Sequence, residues 1–279
     1  MLPELFSMLK EDHAACVGAV GRRTMEALHS QTQIEKAEEI IPGFKTLIIA
    51  AYSYKTSLPT PAGVSKYAAS LDYHRALPPL MSRAQTMLEE NGYSARVLAD
   101  ISPFNERACA LACGLGIQGD NGLLIVPEYG SYIFIASLLT DAELVPEEED
   151  VPLETKTCSH CGACRRACPY DALGEGRFDF DRCLSDISQR RHVTDAELAM
   201  LKETGTLWGC DRCQDACPYN ADVRETDIPA FLTDRLTDED MEEIGEISNS
   251  AFKEKYSRYA LSWRGAAVLR RNIQNLKKE

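Results

Sequence analysis

Apolar residues between Leu2 and His29 recur at helical spacing, with Leu5, Leu9 and Val17 set among charges, and predict a helix over that stretch. Thr46–Tyr54 (TLIIAAYSY) is a nearly continuous apolar run rich in strand formers, the pattern of a buried strand. Helical spacing returns over Pro79–Asn91, with proline at the start and Asn91-Gly92 as the stop. Arg96–Ala99 reads as a short strand and Pro103–Cys113 as a helix ended by Gly114-Leu-Gly116. Leu123–Val126 and Ser131–Leu139 then read as a hairpin about Pro127-Glu-Tyr-Gly130. After Pro218 the periodicity is helical through Leu236–Ile244, Ser248–Tyr259 and Trp263–Leu276. The first 150 residues are therefore mixed α/β (α+β), and the end of the chain is helical.

Between these regions lies Glu143–Glu154 (ELVPEEEDVPLE), an acidic, proline-containing stretch that reads as a solvated linker. It sets boundaries at 1–150, 151–222 and 223–279. Of the 279 residues, 44% are hydrophobic and 26% charged, which excludes wholesale disorder. The longest apolar candidate, Leu123–Leu139, is interrupted by Pro127, Glu128 and Gly130, so no run reaches the roughly 18 residues of a membrane-spanning helix. The start of the chain carries no basic segment followed by an apolar one, so no membrane association and a cytoplasmic location are expected.

Eight of the eleven cysteines fall between Cys158 and Cys217. In a reducing compartment such a cluster points to metal ligation before disulfides. The first run is Cys158-x2-Cys161-x2-Cys164-x3-Cys168-Pro169, the second Cys210-x2-Cys213-x3-Cys217-Pro218, and Cys183 stands alone between them. The first has the spacing of bacterial [4Fe–4S] ferredoxins, whose fourth cysteine serves the other cluster. One cluster is accordingly expected on Cys158, Cys161, Cys164 and Cys217. A second is expected on Cys168, Cys183, Cys210 and Cys213. Paired zinc sites are the competing reading, but zinc ribbons present two separated CxxC knuckles. Cys16, Cys109 and Cys113 read as small buried residues, and His160 as a cluster neighbour able to tune it through sulfur. The one GxGxxG, Gly114–Gly119, follows a helix instead of joining a strand to a helix, and reads as a helix-ending loop.

Resemblance extends this reading. Cys158–Asn220, with Asp181-Arg-Cys183 and Trp208-Gly-Cys-Asp-x-Cys-Gln-x3-Cys-Pro-Tyr-Asn220, resembles the ferredoxin module of epoxyqueuosine reductases. Leu71-Asp-Tyr-His74, Ala99-Asp100, Arg107-Ala108, Gly114-Leu-Gly116 and Pro127–Tyr132 fall in the order of that family's amino-terminal domain, and Trp263-Arg-Gly265 with Arg270-Arg271 resembles its closing segment. The resemblance implies an α/β corrinoid-binding domain, a bacterial-ferredoxin-like two-[4Fe–4S] domain and a short helical carboxy-terminal segment, related in architecture to reductive dehalogenases. It implies cobalamin as cofactor, electrons reaching it through the clusters, and reductive removal of an epoxide oxygen from a modified tRNA base. It further implies Asp100 as catalytic proton donor, Asp72 as a second acid, and Tyr129, Gly130, Ser131 and Arg264 at the cofactor. A ferredoxin or flavodoxin is the implied electron donor and tRNA the implied partner. The chain resembles a short member, without the carboxy-terminal helical-repeat region of longer ones.

Two departures bear on the substrate. The family's aromatic-x-Gly-Lys after Gly-Leu-Gly is here Ile117, Gln118, Gly119 and Asp120, and its Asp-Thr-Gly is Asp100-Ile101-Ser102. With a net charge of −13, RNA binding needs locally concentrated cations: Arg165-Arg166, Arg190-Arg191, Arg264, Arg270, Arg271, Lys277 and Lys278. A corrinoid reductase acting on a small molecule, and a two-cluster electron carrier without catalysis, are the rival readings.

Overall fold

A computed structural model describes residues 1–174 and 177–277; Lys278 of the basic tail lies outside them. By compactness the chain divides into one unit of 1–53, 73–119 and 123–160 and a second of 54–72, 120–122 and 161–279. The linear division at 150 and 222 follows composition; compactness instead sends 54–72 to the cysteine-rich unit and keeps 151–160 with the first.

The first unit is built on a four-stranded antiparallel sheet of β1 (Cys16–Gly21), β2 (Thr46–Ser53), β3 (Ala95–Leu98) and β6 (Ile133–Thr140), in the order β1-β2-β6-β3. Two short strands, β4 (Ile117–Gln118) and β5 (Leu124–Ile125), pair apart from it. Every residue of β2 is buried, because helices cover both faces of the sheet. Leu47, Ile49 and Ala51 join a core with Met25, Ile34, Phe44 and Leu111, from the side of α2 (Arg22–Leu28), α3 (Gln31–Ile40) and α5 (Glu106–Ala112). Strand alternation turns Ile48, Ala50 and Tyr52 the other way, toward α1 (Leu2–Glu11) and α4 (Tyr73–Glu90). There the Tyr52 hydroxyl lies 3.2 Å from the Met81 sulfur.

Four expectations are corrected here. The helix over Leu2–His29 is two helices separated by β1. Its period is broken because Gly18 lies in that strand against Cys113 and Leu115, where a Cβ would come within 2.3 Å of the Leu115 side chain. The helix expected from Pro79 starts at Tyr73, so Pro78 and Pro79 lie inside it and deprive the carbonyls of His74 and Arg75 of their helical donors. The next helix begins at Glu106, capped by Asn105, whose side chain accepts the Ala108 N–H at 3.1 Å. The turn at 127–130 exists, bridged between Val126 and Gly130, but the strands around it do not pair with each other: β5 pairs with β4 and β6 with β2 and β3.

The acidic linker is also more than a solvated loop. Asp150 is buried, and its carboxylate accepts the Gly21 N–H at 2.8 Å and the Thr24 N–H at 3.2 Å. It thereby satisfies donors at the start of α2.

The second unit is largely helical. It comprises α6 (Ala163–Ala167), α7 (Leu184–Gln189), α8 (Asp195–Thr204), α9 (Arg212–Asp215), α10 (Pro229–Leu232), α11 (Asp238–Glu246), α12 (Asn249–Tyr256) and α13 (Ala266–Lys277). One hairpin pairs β7 (Leu173–Gly174) with β8 (Arg177–Phe178). Its main core gathers Trp208, Leu236, Met241, Ile244, Phe252, Tyr256, Leu269 and Ile273. The segment 54–72 is sewn in by backbone bonds, Ser65 N–H to Trp208 at 2.8 Å and Thr226 N–H to Lys55 at 2.7 Å. The closing helix α13 holds the cysteine region through Asn272, which donates to the Ser188 and Leu207 carbonyls at 2.8 Å, and Asn275, which donates to Leu198 at 2.7 Å. Among the described residues no helix is long and apolar enough to cross a membrane.

Candidate functional site

In the second unit the short helices α6 and α9, which carry Cys164 and Cys213, pack against each other. Each is followed by a Cys-Pro step, at Cys168 and Cys217. Gly162, at φ 72°, opens α6 where the chain must turn between Cys161 and Cys164. The second loop is pinned from outside: Asp211, next to Cys210, accepts from the Ser65 hydroxyl at 2.5 Å and the Lys66 N–H at 2.7 Å.

No cysteine is in a disulfide. The Cys213 thiol is pushed up to about 12, first by burial and then by the neighbouring sulfurs of Cys210, Cys183, Cys164 and Cys168. Burial also raises Cys183, with Cys168 beside it, and Cys210, with Cys183 beside it. Burial raises Cys164 as well, and Cys217 adds to the shift. Cys164, Cys168, Cys183, Cys210 and Cys213 thus share one neighbourhood, and Cys164 is also within electrostatic reach of Cys217. Gathering thiols in this way costs desolvation unless a cation takes them as thiolates, and an all-sulfur donor set suits iron–sulfur clusters. Cys161 is exposed at the head of α6. Cys158 closes the first unit, where its N–H donates to the Gln118 carbonyl at 2.9 Å. His160 is exposed at φ 53°, its Nε2 3.1 Å from the Thr157 hydroxyl.

Asp100 follows β3 in a left-handed turn, φ 63°, with an exposed carboxylate 3.2 Å from Nε2 of His74. His74 stands in the first turn of α4, stacked on Tyr73 at 4.2 Å, which in turn stacks on Phe134 at 4.5 Å. Glu106, in the first turn of α5, has a carboxylate that accepts the Ser137 hydroxyl at 2.5 Å. Burial, with the Asp100 charge adding to it, pushes the Glu106 carboxyl up to about 7 against the pull of the Ser137 hydroxyl. Asp72 belongs to the other unit, where its N–H donates to the Arg258 carbonyl at 2.9 Å and its charge bears on the Tyr67 phenol.

The sequence pattern gives no role to His74 or Glu106. A charged residue opening a helix reads as a dipole partner, and only the fold reveals that Glu106 is held against the sheet. Tyr129, Gly130 and Ser131 form the turn after β5. Gly130 is at φ 65° with reciprocal backbone bonds of 2.9 Å to Val126, and Ser131 is buried. Arg264 lies in the second unit, its guanidinium 3.6 Å over the Trp263 ring, beside a cavity of about 520 Å³ shared with Phe252 and Lys253. Its Nε is buried without a hydrogen-bond partner among the described residues. Two further tail cations are engaged internally: Arg271 donates to the Arg190 carbonyl at 2.7 Å, and Arg270 to Ile244, Ile247 and Asn249. Arg190 bonds Asp181, Asp186 and Glu197. Cys16, Cys109 and Cys113 are in the first unit, their thiols raised by burial to about 12.

Residues 157–220 match the family described as a 4Fe–4S double cluster binding domain, and residues 35–101 match the one described as epoxyqueuosine reductase QueG, DUF1730. An epoxyqueuosine reductase of Lactococcus garvieae is 36% identical over 208 residues, 72% of this chain and 57% of that protein. One from Synechocystis is 29% identical over 268 residues, 92% and 91% of the two chains. The solved epoxyqueuosine reductase of Streptococcus thermophilus superposes with a TM-score of 0.79 at 28% identity, covering 99% of this chain and 80% of that one. The chain spans about 57% of the Lactococcus protein's length. The chain thus carries an epoxyqueuosine reductase QueG domain and a 4Fe–4S double cluster binding domain, and it is similar in sequence and fold to epoxyqueuosine reductases.

Proposed function

We propose that this protein is an iron–sulfur and cobalamin-dependent oxidoreductase that removes the epoxide oxygen from epoxyqueuosine in tRNA. The observation that carries the reading is the convergence of Cys164, Cys168, Cys183, Cys210 and Cys213, with Cys217 in electrostatic reach of Cys164, inside a chain similar in sequence and fold to epoxyqueuosine reductases. Loss of an epoxide oxygen as water consumes two electrons and two protons. Bound clusters supply single electrons and a bound corrinoid a two-electron reducing centre; the chain must supply the ligands, the protons and the positioning.

Cys158, Cys161, Cys164 and Cys217 would hold one cluster, and Cys168, Cys183, Cys210 and Cys213 the other. Tyr129, Gly130 and Ser131 in the first unit and Arg264 in the second are the residues that would hold the corrinoid. Arg264 fits that role because its buried Nε has a proton to give and no acceptor for it among the described residues, and a corrinoid's periphery is rich in acceptors. Asp100 donates a proton to the leaving oxygen from an exposed turn, with His74 hydrogen-bonded to the same carboxyl. Asp72 serves as a second acid. A ferredoxin or flavodoxin delivers the electrons, in the cytoplasm.

A second reading, a small-molecule substrate, is favoured by the net charge of −13 and by the internal use of Arg190, Arg270 and Arg271, which leaves fewer cations for phosphates. The test is turnover of epoxyqueuosine-containing tRNA by anaerobically reconstituted protein with cobalamin. Conversion by the wild type, abolished in Asp100→Ala with iron and corrinoid retained, is the expected result. No conversion by fully loaded wild-type protein rejects tRNA as substrate.

A further inference from the structure

Residues 54–72, which follow β2, belong to the cysteine-rich unit and bring a cation against its second cysteine loop. Asp211 directly follows Cys210 and is buried. Its Oδ1 accepts from the Ser65 hydroxyl at 2.5 Å and from the Gln214 side-chain amide at 3.4 Å, and its Oδ2 accepts the Lys66 N–H at 2.7 Å. Those three donors are neutral. The cation is the Lys66 ammonium, 3.6 Å from Oδ2 of Asp211 and 2.6 Å from Oδ1 of Asp215, the residue that ends α9. Its side chain is 24% exposed, so water and salt screen it less than a lysine standing free in solvent. Lys66, Cys210, Asp211 and Asp215 line one cavity of about 280 Å³. Arg212 borders the same cavity, but its guanidinium donates to the Thr204 carbonyl at 2.8 Å.

Holding the loop does not require the ammonium, because the Ser65 hydroxyl and the Lys66 backbone N–H already bond both carboxylate oxygens. A charge has a second use beside a cluster ligand. A cluster bound by four thiolates becomes more negative on reduction, and its potential responds to charge nearby. A buried carboxylate next to a ligand opposes the added electron, and an ammonium set on that carboxylate offsets it. We propose that Lys66 sets the potential of the cluster on Cys168, Cys183, Cys210 and Cys213, raising it by offsetting the charges of Asp211 and Asp215. The inference rests on the assignment of those four cysteines to one cluster, and it gives Lys66 no contact with substrate.

The test is a redox titration of the reconstituted holoprotein, with the reduced clusters read by electron paramagnetic resonance and iron content as the check on folding. Lys66→Met removes the charge and keeps the backbone N–H that Asp211 accepts. It is expected to make one of the two cluster midpoints more negative by about tenfold in the one-electron equilibrium, or about 59 mV, with iron unchanged. Lys66→Arg keeps the charge and should stay within about threefold of wild type. Asp215→Asn removes an opposing charge and should move the same midpoint the other way. Unchanged midpoints in Lys66→Met, the result of a purely loop-holding role, overturn the proposal, as does a Lys66→Arg protein shifted as far as Lys66→Met. Should Lys66→Met lose its iron, Asp215→Asn decides: a midpoint that stays or falls overturns the proposal. Cys183→Ala separates this from the cluster assignment. It should retain one cluster, whose midpoint Lys66→Met no longer moves; a midpoint that still moves overturns the proposal. Two clusters retained in Cys183→Ala refute the ligand assignment instead, while the shift in Lys66→Met still decides whether its charge sets a potential.

Discussion

Removing the Asp150 carboxylate tests whether the acidic stretch before the cysteines is structural. Asp150→Ala deletes two hydrogen bonds, at 2.8 Å to Gly21 and 3.2 Å to Thr24, inside a site that is 3% exposed. Bonds to a charged acceptor contribute roughly 1.5–3 kcal/mol each, and an acid at a helix start adds roughly 0.3–1 kcal/mol. Releasing the carboxylate from burial recovers part of this, which leaves a net loss of about 2–4 kcal/mol. At about 2–4 °C per kcal/mol for a chain of this size, the melting temperature should fall by roughly 5–15 °C. Asp150→Asn keeps one carbonyl acceptor and should lose about half as much. The assay is thermal unfolding followed by far-UV circular dichroism, with Glu148→Ala from the same acidic run as control. Glu148 is exposed and should stay within about 0.5 kcal/mol of wild type. An Asp150→Ala protein as stable as Glu148→Ala would refute the structural role.

Cys183→Ala should reduce iron in the anaerobically reconstituted protein from about eight atoms per chain to about four, because one cluster loses a ligand; unchanged iron would remove Cys183 from the ligand set. Gly116→Ala would place a Cβ 2.3 Å from the Ile125 carbonyl oxygen, a backbone atom that cannot swing aside. It should destabilise by about 1–3 kcal/mol or more in urea unfolding, and a neutral result would show that β4 and β5 can part freely. Glu106 carries a pH signature of known sign. Its folded pKa, about 7, lies above its unfolded value of 4.5, so the native state holds the proton more tightly and stability falls as pH rises from 5 to 8. The effect is about 1–3 kcal/mol, and it should vanish in Glu106→Gln. A wild-type pH dependence identical to that of Glu106→Gln would contradict the burial of this carboxyl.

Elements with one strong period are legible in the amino-acid pattern itself. Thr46–Ser53 is apolar throughout because helices cover both faces of its sheet, and the tail helices have clean amphipathic spacing. Elements whose pattern answers to distant neighbours are not legible in this way. The strand Cys16–Gly21 is short and contains two glycines; its identity depends on pairing with β2, thirty residues away in the register Val17 to Ala50. The turn at Pro127–Gly130 shows in its residues, yet local pattern cannot say that its flanking strands pair elsewhere.

The same division holds for chemistry. Cysteine spacing alone pointed to a two-cluster module, which the match to a 4Fe–4S double cluster binding domain bears out, and it proposed eight ligands, since a short loop can present only so many thiolates to one centre and the chain must return for the rest. The order of motifs likewise singled out Asp100. What only the tertiary structure decided is how these groups are supported: Asp150 capping α2 from the acidic run, Asp211 pinning the second cysteine loop, His74 against Asp100, Glu106 against Ser137, and Arg270 and Arg271 bound to backbone carbonyls. Ligand spacing is a local property of the chain and survives in one dimension. A supporting hydrogen bond joins residues tens of positions apart, and its meaning comes from burial, which exists only once the chain has folded.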